Sequence, residues 1–162
     1  MSKSSLKQSL LDFQTEMKSR LLFDTFEVEG KRWKLQLLTD EEQTWALSMM
    51  NVSSALTTGA SGRVANLAMG IREIDGVSVA EYYADDWDEF SEDQRKTWEE
   101  MNPFAYKYFV AEHLHSLLSA MPPDFIEQLW RCWEELLERR KEAQGMTKKS
   151  SGETSPTESN EN

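Results

Sequence analysis

Residues 102–144 read NPFAYKYFVAEHLHSLLSAMPPDFIEQLWRCWEELLERRKEAQ, two helix-length segments that meet at Met121-Pro122-Pro123. In the second segment Phe125, Ile126, Leu129, Trp133, Leu136 and Leu137 recur at intervals of three and four, the spacing that lines side chains along one face of an α-helix. The first offers Phe104, Tyr108, Ala111, Leu114 and Leu118 at the same kind of interval. Pro103 and Pro123 suit the opening turns of the two helices. The pair is expected to fold back as a helical hairpin in which each helix hides the other's apolar stripe.

Upstream the period changes. Phe26 and Val28 lead into Glu29-Gly30-Lys31, after which Trp33, Leu35 and Leu37 alternate with Arg32, Lys34 and Gln36, the pattern of a β-hairpin with one covered face. Thr39-Asp40-Glu41-Glu42 has the form of a capping box, opening a helix through Trp45, Met49, Val52 and Leu56. Thr57-Thr58-Gly59-Ala60-Ser61-Gly62 is expected to break that helix as a mobile loop. A further helix follows over Arg63–Ile71, then a second hairpin around Asp75-Gly76. Two strands alone are marginal in water, so pairing of the hairpins into three or four strands is expected. The fold class that results is α+β and mostly helical. Small hairpins near the N-terminal third pack on four to six helices, and a helical hairpin closes the chain.

With 162 residues there is room for one domain with a core, assigned to 23–143. Residues 1–22 place Leu6, Leu10, Phe13, Met17 and Leu21 on one stripe of an amphipathic helix, either an arm packed on the domain or a detachable helix that docks on a partner or a second copy. Its polar face mixes Asp12 and Glu16 with Lys7 and Lys18, unlike the basic face of a membrane-surface helix. Residues 144–162 lack the apolar side chains that offset the entropy of ordering and read as a disordered tail. No stretch has the length of a signal-peptide core or a membrane span, and Cys132 alone rules out an internal disulfide. A cytoplasmic protein without membrane contact is expected.

The net charge of -11 disfavours nucleic acid as a partner and favours solubility with apolar surface exposed. Much of the acid lies in residues 80–101, around Trp87 and Phe90. The order of ligands there does not make an EF-hand, so a solvated acidic face is expected. His113 and His115 lie two apart and cannot clamp one metal from a helix. Neither a nucleophile elbow nor a phosphate-binding glycine loop occurs. A non-enzymatic protein without catalytic, metal or cofactor residues is the reading. The candidate partner-binding side chains are Trp45, Met49, Met50, Trp87, Phe90, Trp130 and Trp133, each of which could equally serve the core.

Three stretches carry a resemblance. They are Phe26-Glu27-Val28-Glu29-Gly30-Lys31-Arg32-Trp33-Lys34-Leu35 running into Leu38-Thr39-Asp40-Glu41-Glu42; Leu67-Ala68-Met69-Gly70-Ile71-Arg72-Glu73-Ile74-Asp75-Gly76-Val77; and Leu129-Trp130-Arg131-Cys132-Trp133-Glu134-Glu135-Leu136. In their order the chain resembles the tail assembly chaperones of tailed bacteriophages and related small baseplate-assembly proteins. The resemblance implies a protein of the host cytoplasm that binds the aggregation-prone tape measure protein, or other tail proteins, and keeps it soluble until the tube assembles. Self-association fits the same picture. Nothing after Gln144 resembles the folded extension that some members add by frameshifting. A structural component of the virion or baseplate, and an acidic DNA mimic that inhibits a host protein, are the alternative readings.

Overall fold

The computed structural model describes residues 3–50 and 55–150, apart from the side chains of residues 19, 55–60 and 146–150. The fold is α+β and mostly helical. Strands β1 (Phe23–Val28), β2 (Lys31–Gln36), β3 (Ile71–Ile74) and β4 (Val77–Ser78) form one antiparallel sheet in the order β1-β2-β3-β4.

Both hairpins turn through two residues of positive φ, Glu29 (51°) with Gly30 (73°) and Asp75 (52°) with Gly76 (80°). Such turns match the right-handed twist of the strands, and glycine adopts the second position without strain. Across β2 and β3, Trp33 faces Ile74 and Lys34 faces Glu73. A register shift then brings Leu35 opposite Ile71. Asp75 fastens this seam twice. Its N–H donates to the Arg32 carbonyl at 2.8 Å, and its Oδ1 accepts from the Arg32 N–H at 2.8 Å.

Helices cover one face of the sheet. Helix α2 (Asp40–Ser48) opens on the expected capping box, with Thr39 Oγ1 accepting from the Glu42 N–H and Glu42 Oε2 accepting from the Thr39 N–H. It stops at Ser48, and the small-residue stretch 57–62 lies inside α3 (Ala55–Gly70) instead of forming a loop. Val52 lies outside the described residues, as does the side chain of Leu56. Glycine weakens a helix by about 1 kcal/mol, and contact outweighs that cost here. A Cβ on buried Gly62 would stand 3.1 Å from the Met50 methyl, so a small residue lets the end of α2 meet α3.

The acidic stretch divides into α4 (Val79–Tyr82), α5 (Ala84–Asp88) and α6 (Glu92–Met101), with Ser78 and Ser91 as side-chain caps. These short pieces raise the count to eight helices among the described residues, above the four to six expected. Helices α7 (Ala105–Ser119) and α8 (Pro123–Ser150) follow the sequence reading, but their stripes are covered chiefly by α3 and the sheet, not by each other. Val110, Ala111, Leu114 and Leu118 from α7 and Leu129, Trp133 and Leu136 from α8 enter one core with Leu35, Leu67 and Ile71.

The C-terminal boundary and the setting of the N-terminal helix differ from expectation. Helix α8 continues past Gln144 to Ser150, and the ion pairs Arg131–Glu127, Arg139–Glu135 and Lys141–Glu138 support its exposed side before that point. Residues 151–162 lie outside the described residues. Helix α1 (Lys3–Ser19) forms as expected, yet Leu6, Leu10, Leu11 and Phe13 are 46–60% exposed, so it is not an arm packed on the domain.

Gly70, at the α3–β3 junction, is where α8 comes closest, because a Cβ there would overlap the Trp133 ring. Gly70→Ala is therefore expected to lower stability by about 1–3 kcal/mol through overpacking. Trp133→Ala should cost ~3–5 kcal/mol through the cavity it leaves. Gly145→Ala, with open space around it, should not lower stability. Thermal unfolding of the three variants checks the order.

Candidate functional site

Both hairpin turns lie at the same end of the sheet, where Arg32 meets Asp75. The α7–α8 corner at Met121-Pro122 stands over that end, and together they enclose an open groove of about 640 Å³. Val28, Trp33, Ile74 and Val79 line its floor and sheet side, Tyr82 and Tyr83 one wall, and Leu114, Leu117, Met121 and Phe125 the other. Trp33 is fixed from two directions. Its Nε1 donates to the Val28 carbonyl at 3.2 Å, and its ring meets Phe125 edge-on at 5.5 Å and 62°. Leu117, 39% exposed, and Tyr82 present apolar surface to solvent.

The rim is polar. Glu29 accepts from Gln128 at 3.0 Å, and Lys31 pairs with Asp75 at 3.3 Å. The Arg32 backbone N–H, ahead of Lys31, holds the Asp75 carboxyl below the usual carboxylate value, so it stays ionised. A mostly apolar concavity with a few fixed polar groups at its edge is the usual form of a binding site.

A second, smaller cavity of about 350 Å³ lies by Lys34, Arg72 and Lys107. Its cations are matched by acids. Lys34 pairs with Glu73 at 3.3 Å, while the Glu42 carboxylate, only 3% exposed, takes Arg72 at 2.9 Å and the Lys107 ammonium. Burial alone would raise the Glu42 pKa, but Lys107, Arg72 and the Thr39 N–H together outweigh it and hold the group below 4.5.

The structure scatters the residues expected to bind a partner. Trp45 is buried and stacks on Tyr108 at 6.3 Å, Met49 packs against the core and Met50 against Gly62. Trp130 stacks on buried Trp133 at 6.4 Å, with the Arg63 guanidinium 5.8 Å from the Trp130 ring centre. Trp87 and Phe90 join an aromatic cluster between α5 and α7. None of the seven lines the groove. The groove residues come from both hairpin turns, α4, α7 and α8, which meet only in the fold. One signal was readable: Leu117 is an apolar residue outside the stripe Phe104, Tyr108, Ala111, Leu114 and Leu118.

Groups able to do chemistry stand apart. Burial, then Glu135, pushes the Cys132 thiol up, away from the thiolate form. His113 shares its Nδ1 with the Phe109 carbonyl at 2.9 Å, while His115, whose buried Nε2 has no hydrogen-bond partner among the described residues, has its pKa lowered by burial. Among the described residues no group of three or more His, Cys, Asp and Glu is placed to hold a metal, and no helix is long and apolar enough to cross a membrane. No family model, curated protein or solved structure matches the chain.

Because the folded pKa of Glu42 is depressed, its stabilising contribution is complete above 4.5 and lost as the pH falls through the lower folded value. Glu42→Gln should lower stability at neutral pH by about 2 kcal/mol, less than for a fully buried pair because Arg72 and Lys107 are partly solvated. The gap in Tm between the two proteins should close on acidification below 4.5, as a pH series of melts would read.

Proposed function

We propose that the chain is a non-enzymatic binding protein whose groove at the hairpin tips takes an apolar stripe of a client helix. The groove itself is the observation that carries this reading: about 640 Å³ of open space walled by Trp33, Leu117, Met121, Phe125 and the Tyr82–Tyr83 pair, with charge confined to its edge. A helix lays its apolar face into such a groove through anchors at three- and four-residue spacing. The net charge of -11 keeps a carrier of exposed grease in solution.

Combined with the resemblance in the order of hairpins and helices, the reading becomes a phage tail assembly chaperone. In that role the client is the tape measure protein, a long helical chain prone to aggregate, held by mass action in the host cytoplasm and released as the tail tube closes. The exposed stripe of α1, Leu6, Leu10 and Phe13, adds a second apolar surface on the same molecule.

Co-expression with the tape measure protein of the genome that encodes this chain tests the proposal. The client is expected in the soluble fraction, bound to the chain. Leu117→Glu, at an exposed position, should keep the melting temperature within about 2 °C and lower binding at least tenfold, since a charge then sits on the groove wall. A client that stays insoluble, or that binds Leu117→Glu as well as the parent, would contradict the groove.

A further inference from the structure

A different pocket, of about 460 Å³, opens between α5, α6 and α7, lined by Trp87, Phe90, Trp98, Tyr108 and Phe109, with Glu112 and the His113 ring, 4.2 Å from that of Phe109, on the α7 side. Its rings meet steeply. Trp87 and Phe109 lie 5.1 Å apart at 60°, Phe90 and Trp98 4.8 Å apart at 81°, and Phe90 and Phe109 5.8 Å apart at 84°. Edge-to-face packing sets the positive edge of one ring on the negative face of the next, and Tyr106 and Trp45 stack on Phe109 and Tyr108. What the pocket offers a guest is therefore the ring surface bordering its open space, chiefly that of half-buried Phe90 and of Trp98, 36% exposed.

The chain shows elsewhere what its ring faces attract. Lys34 lies 4.9 Å from the centre of Phe23, Lys107 5.7 Å from Phe104, Arg63 5.8 Å from Trp130 and Arg139 5.9 Å from Phe26. Among the described residues, no cation of the chain lies over the rings that line this pocket, although it gathers more rings than any of those contacts. Its wall also holds a carboxylate to match. Glu112 is exposed, and its carboxylate makes no hydrogen bond or ion pair with another described residue. Around it, residues 79–101 carry nine carboxylates against two bases, Arg95 and Lys96, a surplus of seven where the whole chain has eleven. Of those nine, only Asp88 is ion-paired among the described residues, with Arg95 at 3.0 Å.

We infer that this pocket binds a cationic side chain, an arginine or lysine presented by a basic segment of a partner protein. The rings hold the cation by its attraction to their faces, Glu112 neutralises it, and the surrounding acids raise its local concentration and speed encounter. The site is distinct from the groove at the hairpin tips, which is apolar and lined by other side chains.

The full chain, with its tryptophan indoles labelled for NMR, is titrated at physiological salt with a peptide alternating arginine and glycine. A second titration uses the same peptide carrying citrulline, which keeps the shape and removes the charge. The expected result is saturable shifts at the Trp87 and Trp98 indoles with the arginine peptide, none with citrulline, and little change at Trp33. Glu112→Gln should weaken binding about fivefold, and Glu112→Lys, whose own ammonium would take the place of the guest, should abolish it. Both variants replace an exposed, unpaired side chain, so the fold is kept. Equal binding of citrulline, shifts that spare Trp87 and Trp98, or attraction unchanged by Glu112→Lys would overturn the inference. Glu112 and Leu117 variants fail separately, which tells the two sites apart.

Discussion

The pairing of β2 with β3 is the constraint on which the rest of the molecule depends. It joins hairpins made by segments about 40 residues apart, and Asp75 clamps it by exchanging two hydrogen bonds with the backbone of Arg32. Each hairpin alone would be marginal in water, whereas four strands present a face wide enough to rest on helices. Leu35 and Ile71 come together across that seam and are both almost wholly buried. Helix α3 must end where β3 begins, and Gly70 at that junction leaves the room that Trp133 of α8 occupies. The sheet seam thus fixes α3, and α3 fixes where α7 and α8 can lie.

The same seam places both hairpin turns at one end of the sheet. Val28, Trp33 and Ile74 near those turns border a space that the α7–α8 corner stands over without filling, although Val28 and Trp33 are themselves buried. An open groove is the geometric consequence. Its lining is mostly apolar, with Glu29, Lys31 and Asp124 as its charged side chains. On the other side of α7, the aromatic pocket faces the acidic helices, so one helix separates an apolar surface from a charged one.

What could be read from the sequence followed from local rules. The two Gly turns, the alternation of Trp33 and Leu35 with Arg32 and Lys34, the Thr39–Glu42 capping box and the stripes of α7 and α8 each depend on residues within a turn or two of one another. The failures came where distant contact overrode local preference. Residues 57–62 read as a loop by composition, yet a helix passes through them, with Gly62 buried beneath Met50. The stripes of α7 and α8 are neighbours in sequence and suggest a mutual pairing, whereas α3, legible only as the helix over residues 63–71, is the element that contacts both in the fold. The groove was not legible because six elements, β1, β2, β3, α4, α7 and α8, contribute to it, while bulky residues such as Trp45 and Trp133 belong to the core.

The central claim is that the hairpin-tip groove, and no other apolar surface of the folded domain, accepts a helix. Its most direct test is a methyl and indole NMR titration with an uncharged amphipathic helical peptide of leucine and glutamine. Such a peptide offers the groove an apolar stripe and offers the acidic pocket nothing. Saturable shifts at Trp33, Leu117 and Met121, with buried Met69 unmoved, are the predicted result. Shifts that centre on Met49, Met50 or Trp130, or a peptide that leaves Trp33 and Leu117 unchanged, would contradict it.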